Sequence, residues 1–190
     1  MVNWEVCVYR MIIGLSGYAQ SGKDTVANIL VEHYGFTRVA FADKIRELLY
    51  EMNPNLRDTL LQQAVNAHGW DEVKSDPTVR RMMQNLGVGA RKLFGENFWV
   101  HQAMNSMANA HPNIVVTDVR FINEADTLKT NGGQLWRVKR PGIEAVNTHI
   151  SETEMDGYKV DQILHNGGTI EELDSLVRKR MDVLLANKTT

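Results

Sequence analysis

Met11-Ile-Ile-Gly-Leu-Ser-Gly17-Tyr-Ala-Gln-Ser-Gly22-Lys23-Asp-Thr25 runs from an apolar segment into a glycine-bracketed loop and leaves through a lysine. The apolar run reads as a buried parallel strand. Gly17 to Lys23 fits G-x-x-x-x-G-K, the core of a phosphate-binding loop. Glycines let such a loop curl, so that successive N–H groups point inward at phosphate oxygens. A helix follows from Gly22 to Tyr34, with Val26, Ala27, Leu30 and Val31 on one side and Gly35 as its stop. Its positive end adds to the cradle, and the lysine supplies a mobile charge for the β- and γ-phosphates. Gly17, Ala19, Ser21, Gly22, Lys23, Asp24 and Thr25 are therefore the candidate ATP-binding residues of this loop. One departure stands out. The hydroxyl that usually follows the lysine and binds Mg²⁺ is replaced by Asp24, with Thr25 one place later. Either Thr25 serves from there, or phosphates and water hold most of the metal. Asp24 itself reads as a helix-start acid or as a group that reaches a cation.

Outward from this segment, strands and helices alternate. Phe36 to Phe41 reads as a second strand and Asp43 to Met52 as a helix. From Pro54 to about Ala110 the signal is helical throughout, divided at Gly69-Trp70, at Asp76-Pro77, and at Gly87 with Gly89. Strands return at Ile114–Thr117, Gln134–Lys139 and about Gln162–Leu164, with helices near Asn123–Thr130 and from Thr169 to about Leu185. This alternation predicts an α/β fold of three layers, a parallel sheet of about five strands with helices on both faces. The helical block at about 54–110 reads as an insertion over the strand ends, where ligands bind in such sheets. The whole of 1–190 reads as one domain, with Met1–Arg10 as a short extension before Met11.

With 43% apolar and 23% charged residues, the chain has the composition of a globular protein. No apolar run reaches the roughly 20 residues of a membrane helix, and the first ten residues lack the features of a secretory signal. A formal charge of −2 argues against stable nucleic-acid binding, so phosphate recognition must come from a few placed residues. The single Cys7 excludes an internal disulfide and a multi-cysteine metal site and points to a reducing cytoplasm. Whether the chain forms a homodimer stays open.

Asp118-Val-Arg120 follows the strand at Ile114–Thr117. An Asp there faces the ligand crevice and can hold Mg²⁺ through water, while Arg120 can neutralise the moving phosphoryl group. The alternative is a loop ion pair between Arg120 and Glu124. Arg140 is a candidate lid arginine or a surface charge. Asp43 and Arg46, one turn apart at a helix start, lie on one face. The pair resembles the Asp-x-x-Arg of the nucleoside monophosphate kinases, which implies that Arg46 holds the acceptor phosphate with Asp43 as cap or orienter; the alternative is a solvated face. Asn166 and Gly168, before the last helix, can border an adenine; Thr169 equally reads as an N-cap. Several arginines suit an acceptor that is itself a phosphate, whose difficulty is repulsion between two anions rather than loss of a proton. A hydroxyl acceptor such as dephospho-coenzyme A, or a nucleotide switch rather than a kinase, are the competing readings.

The blocks Leu15-Ser-Gly17, Ser21–Thr25, Val79-Arg-Arg-Met-Met-Gln-Asn-Leu-Gly87, Phe98-Trp-Val100, Asp118-Val-Arg120, Arg140-Pro-Gly142, Thr148–Glu152 and Asn166–Leu173 occur in order. The set resembles the deoxynucleoside monophosphate kinases of tailed bacteriophages, a branch of the P-loop nucleoside monophosphate kinases. That resemblance implies a P-loop kinase fold and transfer of phosphate from ATP, with Mg²⁺, to deoxynucleoside monophosphates in the cytoplasm of an infected cell. In its light Lys23, Arg120, Asp118 and Arg140 become the catalytic set. Arg80, Gln84, Arg91 and Trp99 join Asp43 and Arg46 as acceptor-pocket candidates. Gln84 would read a base edge and Trp99 would stack on the base or anchor the core. His149 and Ser151 match the family block without a definite chemistry.

Overall fold

The computed structural model describes residues 11–108, 113–144 and 153–187. Two compact units emerge, Ala40–Ser106 and the joined segments Met1–Val39 and Met107–Thr190. Cys7 and the Thr148–Glu152 block with His149 and Ser151 lie outside the described residues.

The two-segment unit is built on a five-stranded parallel sheet. Its strands are β1 (Met11–Ser16), β2 (Thr37–Val39), β5 (Asn113–Val116), β6 (Gln134–Lys139) and β7 (Gln162–His165), in the order β2-β5-β1-β6-β7. All six residues of β1 are buried, because the strand is central and covered on both faces. Side chains alternate along it. Ile13 and Leu15 join Val26, Leu30, Leu173, Val177 and Met181 of helices α1 (Lys23–Tyr34) and α7 (Ile170–Ala186). The opposite face carries Gly14, where a side chain would meet Leu128 of helix α6 (Ile122–Thr130), Val119 and Leu135. Three layers result. Register places Ile13 between Val115 and Gln134, so the carboxyl ends of β5, β1 and β6 emerge together around the glycine loop.

The other unit, entered after β2, contains α2 (Phe41–Met52), a short antiparallel pair β3 (Asn55–Leu56) and β4 (Thr59–Leu60), α3 (Leu61–Val73), α4 (Pro77–Phe94) and α5 (Phe98–Ala108). Leu49, Leu61, Val73 and Val79 form its core with Leu56, Trp70, Met82, Met83 and Leu86.

Several boundaries differ from the sequence reading. The second strand is only Thr37–Val39, and α2 begins at Phe41, so Asp43 is the third helical residue. Its carboxylate accepts the Ala40 N–H at 2.8 Å, which ends the strand and starts the helix. The stretch from Pro54 contains the β3–β4 pair rather than helix alone. Gly69 does break helical geometry, at φ 77°. Gly87 and Gly89 do not divide α4, which runs unbroken for 18 residues. A side chain at 87 would press on Ile45 of α2, at 3.2 Å, so this glycine lets two helices approach. Asp76 caps α4 as its sequence suggests, accepting the Thr78 N–H at 2.6 Å ahead of Pro77. The insertion read as about 54–110 corresponds to a compact unit that starts earlier, at Ala40.

Candidate active site

The loop after β1 is held by the two strands that follow it in the sheet. Gly17 has φ 135°, and a Cβ there would collide with the Val138 carbonyl at the end of β6. Gly22, with φ 105°, sits at the N-cap of α1, and a Cβ there would collide with the Asn166 side-chain amide. Neither position accepts a side chain, on grounds of both backbone and space. Asn166 is itself fixed: its N–H donates to the Lys139 carbonyl at 2.7 Å and its side-chain amide to the Ser21 carbonyl at 2.8 Å.

Within the loop, the Lys23 ammonium donates to the carbonyls of Gly17 and Tyr18, each at 2.7 Å. Ser21 is 2% exposed, and its buried hydroxyl has no hydrogen-bond partner among the described residues. An orphaned buried hydroxyl is costly unless a ligand supplies the missing partner. Asp24 is turned away and pairs with Arg38 at 2.7 Å, so its charge is met by a cation. Thr25 is half-buried in the first turn of α1.

Beside the loop lies a cleft of about 380 Å³, lined by Gly17, Tyr18, Ala19 and Ser21, by Val119 and Arg120 after β5, by 137–140 at the end of β6, and by Ile143, Met155 and Asp156. Arg120, Arg137, Lys139 and Arg140 outnumber the single acid Asp156. A chain with net charge −2 thus gathers positive charge where phosphate would sit. Glu124, 4% exposed, accepts the N–H groups of Arg120 and Phe121 at 2.8 and 3.1 Å, shaping the turn that carries Arg120. Asp118 stands half-buried just after β5.

The 155–158 turn closes one side of the cleft. Arg137 donates to the carbonyls of Met155, Asp156 and Tyr158. The Tyr18 hydroxyl donates to the Asp156 carboxylate at 2.9 Å, and that bond, with burial, raises the phenol pKa. The Tyr158 hydroxyl donates to Asp126 at 2.5 Å; burial first, then that carboxylate, push its pKa up to about 12.

In the helical unit, Asp43 also accepts from the Arg46 guanidinium at 2.6 Å, and the Arg46 Nε is buried without a partner among the described residues. Arg80, Gln84 and Arg91 fall on one stripe of α4, four and seven residues apart. Trp99 is 4% exposed, its indole N–H donates to the Gly87 carbonyl at 2.9 Å, and its ring packs edge-on against Phe98. Of the two readings of Trp99, base platform and core anchor, its burial and its bond to α4 match the core anchor.

The sequence model described as deoxynucleotide monophosphate kinase matches residues 58–177, well over half of the chain. A protein of Acanthamoeba polyphaga mimivirus, which carries the same kinase name in provisional form, is 33% identical over 195 residues, covering 90% of this chain and 96% of its own. The chain belongs to the deoxynucleotide monophosphate kinase family. The deoxynucleotide monophosphate kinase of Enterobacteria phage T4 is 23% identical over 239 residues, covering 91% of this chain and 99% of its own. A solved dephospho-CoA kinase from Campylobacter jejuni is more distant, with a TM-score of 0.49 and 14% identity over 94% of this chain and 98% of that one.

Membership of that family makes the protein an ATP-dependent kinase, and its own parallel sheet, with the glycine loop between β1 and α1, has the P-loop architecture. The family match begins at residue 58, beyond the glycine loop, so the loop is an observation independent of it. In this deoxynucleotide monophosphate kinase, Gly17, Ala19, Ser21, Arg120 and Arg140 meet at one cleft. Asn166 and Gly168 are not among that cleft's lining residues. Asn166 braces the loop, and a Cβ at Gly168 would overlap the Glu172 carboxylate, which accepts the Thr169 N–H at 3.0 Å in the helix cap. Arg137 is the cleft-lining residue that sequence reasoning missed, and Glu124, read there only as an ion-pair alternative for Arg120, also accepts the backbone N–H groups of that turn. The signal for Arg137 was present: a charged residue stands between Leu135-Trp136 and Val138, all three buried.

Proposed function

We propose that this kinase transfers the terminal phosphoryl group of ATP to a deoxynucleoside monophosphate, giving ADP and the deoxynucleoside diphosphate. The observation that carries the reading is the glycine cradle with its lysine and orphaned serine hydroxyl, opening on a cleft rich in arginine. Triphosphate would draw the Lys23 ammonium from its two loop carbonyls, and the Ser21 hydroxyl would donate to a phosphate oxygen. An oxygen of the acceptor phosphate attacks the γ-phosphorus in line, and the bond to the β–γ bridging oxygen breaks. Arg120 and Arg140 offset charge on the group in transit. Because the acceptor is already ionised at neutral pH, no strong base is required.

Asp43 orients Arg46 toward the acceptor phosphate, and Arg80, Gln84 and Arg91 supply further contacts from α4. Backbone groups near Asn166 and Gly168 border the adenine. Among the described residues no cluster of three or more His, Cys, Asp or Glu forms a resident metal cage. Thr25 and Asp118 fit a hydrated Mg²⁺ held chiefly by substrate phosphates, the usual mode for that ion. Bound there, Mg²⁺ would neutralise phosphate charge. Small nucleotides are the partners this reading requires, with no stable nucleic-acid complex, and the cytoplasm is where they are found. No helix among the described residues is long and apolar enough to cross a membrane.

ADP release with each deoxynucleoside and ribonucleoside monophosphate offered separately, and with dephospho-coenzyme A, tests the proposal. Turnover with one or more deoxynucleotides is expected. Turnover confined to dephospho-coenzyme A, or dependent on added nucleic acid or protein, would overturn it.

A further inference from the structure

The turn after β7 reaches into the phosphate loop with a side chain as well as bordering it. We propose that Asn166 is a positioning residue that aims a loop N–H at the triphosphate. This deepens the kinase reading of the same site and rests on it. In a planar trans peptide the carbonyl and the following N–H point in opposite directions, and the described backbone contains no cis bond. The Asn166 amide holds the Ser21 carbonyl outward at 2.8 Å. The N–H of the same peptide unit, that of Gly22, is thereby turned to the inner side of the loop. Rotation of this unit would release the Gly22 N–H from the cradle and shift the buried Ser21 hydroxyl with it.

Asn166 is well placed to hold that unit still. Its own N–H is tied to Lys139 at the end of β6, and three residues on, Thr169 and Glu172 lock the start of α7 by reciprocal hydrogen bonds of 3.0 and 3.3 Å. The absence of a Cβ at Gly22 is the other half of the arrangement, since one would occupy the position of the Asn166 amide. The contact spans 145 residues of sequence. It lets the last strand of the sheet set the geometry of the first loop.

The test compares Asn166→Ala and Asn166→Asp with the unaltered full chain. Calorimetry reads the binding of Mg-ATP and of inorganic tripolyphosphate, which has no adenine, and steady-state kinetics read both substrates. A hydrogen bond to a charged group is worth about 1.5–3 kcal/mol, or about ten- to a hundred-fold in affinity. ATP and tripolyphosphate should weaken by the same factor within that range, with acceptor KM unchanged. Asn166→Asp, nearly identical in shape but presenting an oxygen to the Ser21 carbonyl, should lose more than Asn166→Ala. Weaker ATP with normal tripolyphosphate binding would assign Asn166 to the adenine instead and overturn the inference. Equal losses for ATP and acceptor would reduce it to a structural role and overturn it too. Normal binding of both ligands with normal deoxynucleotide turnover overturns the inference alone, whereas an unaltered chain that binds neither ligand overturns the kinase reading as well.

Discussion

Lys23 and Arg46 each hold a protein oxygen where a substrate oxygen is proposed to bind, one in each compact unit. The Lys23 ammonium rests on the Gly17 and Tyr18 carbonyls, bonds that a triphosphate can replace with stronger charge-assisted ones. Lys23→Ala should therefore lower kcat about a hundred-fold or more, the scale seen when one preorganised electrostatic group is lost. Its melting temperature should stay near that of the unaltered chain, because the lysine is not part of the apolar core. Near-normal turnover would remove the loop from the mechanism. Arg46 is paired to Asp43 at 2.6 Å, with an Nε that lacks a partner among the described residues. Arg46→Ala should raise acceptor KM about ten-fold or more, as expected for loss of a charged hydrogen bond, and leave the KM of ATP alone. A change in ATP KM with constant acceptor KM would reject the acceptor role.

At the scale of elements, β1 shows how tightly the sheet is packed around the loop it carries. A Cβ at Gly14 would stand 2.7 Å from Leu128 Cδ1, 3.0 Å from Val119 Cγ2 and 3.1 Å from Leu135 Cδ1, all of them buried. Gly14→Ala should cost about 1–3 kcal/mol of stability through overpacking, read from urea unfolding. Leu128→Ala removes the nearest obstruction, so the double variant should lose less than the sum of the two single losses. Strict additivity would mean that Gly14 is needed for some other reason. This packing also explains what was legible in the sequence. The β1–loop–α1 unit is visible because a continuous apolar run, a glycine spacing and a helical period agree within 24 residues, Met11–Tyr34. The β3–β4 pair is not, since strands of two residues carry no period. Gly87 misleads because helix propensity counts its cost and not the room it gives Ile45. Trp99 was ambiguous until its indole N–H was seen to end on Gly87. Arg137 and Asn166 act through bonds to residues 18–145 positions away, so a local pattern can mark them as candidates but cannot name their partners.

For the whole molecule, the clearest pH response lies on the alkaline side. The chain has five tyrosines, and three of them have phenol pKa values raised above 10.0. Tyr18 is raised first by its bond to Asp156, Tyr34 by burial and then Asp182, and Tyr158 to about 12 by burial and then Asp126. A raised phenol pKa means that the folded state favours the neutral form. Below pH 10.0 the phenols are protonated whether the chain is folded or not, and their contribution to stability is complete. Above that, the unfolded chain sheds the protons first, so stability falls as pH rises toward the folded value of about 12 for Tyr158. Phenolate absorbance between these limits should thus be lower for the folded chain than for the same chain in urea. Unfolding free energy should decline across the same interval. Tyr158→Phe keeps the ring but has no proton to lose, so it should flatten that decline while lowering stability at neutral pH through the lost bond to Asp126. An unchanged alkaline slope in Tyr158→Phe would show that this phenol ionises alike in both states, and that the tie between the 155–158 turn and α6 is absent in solution.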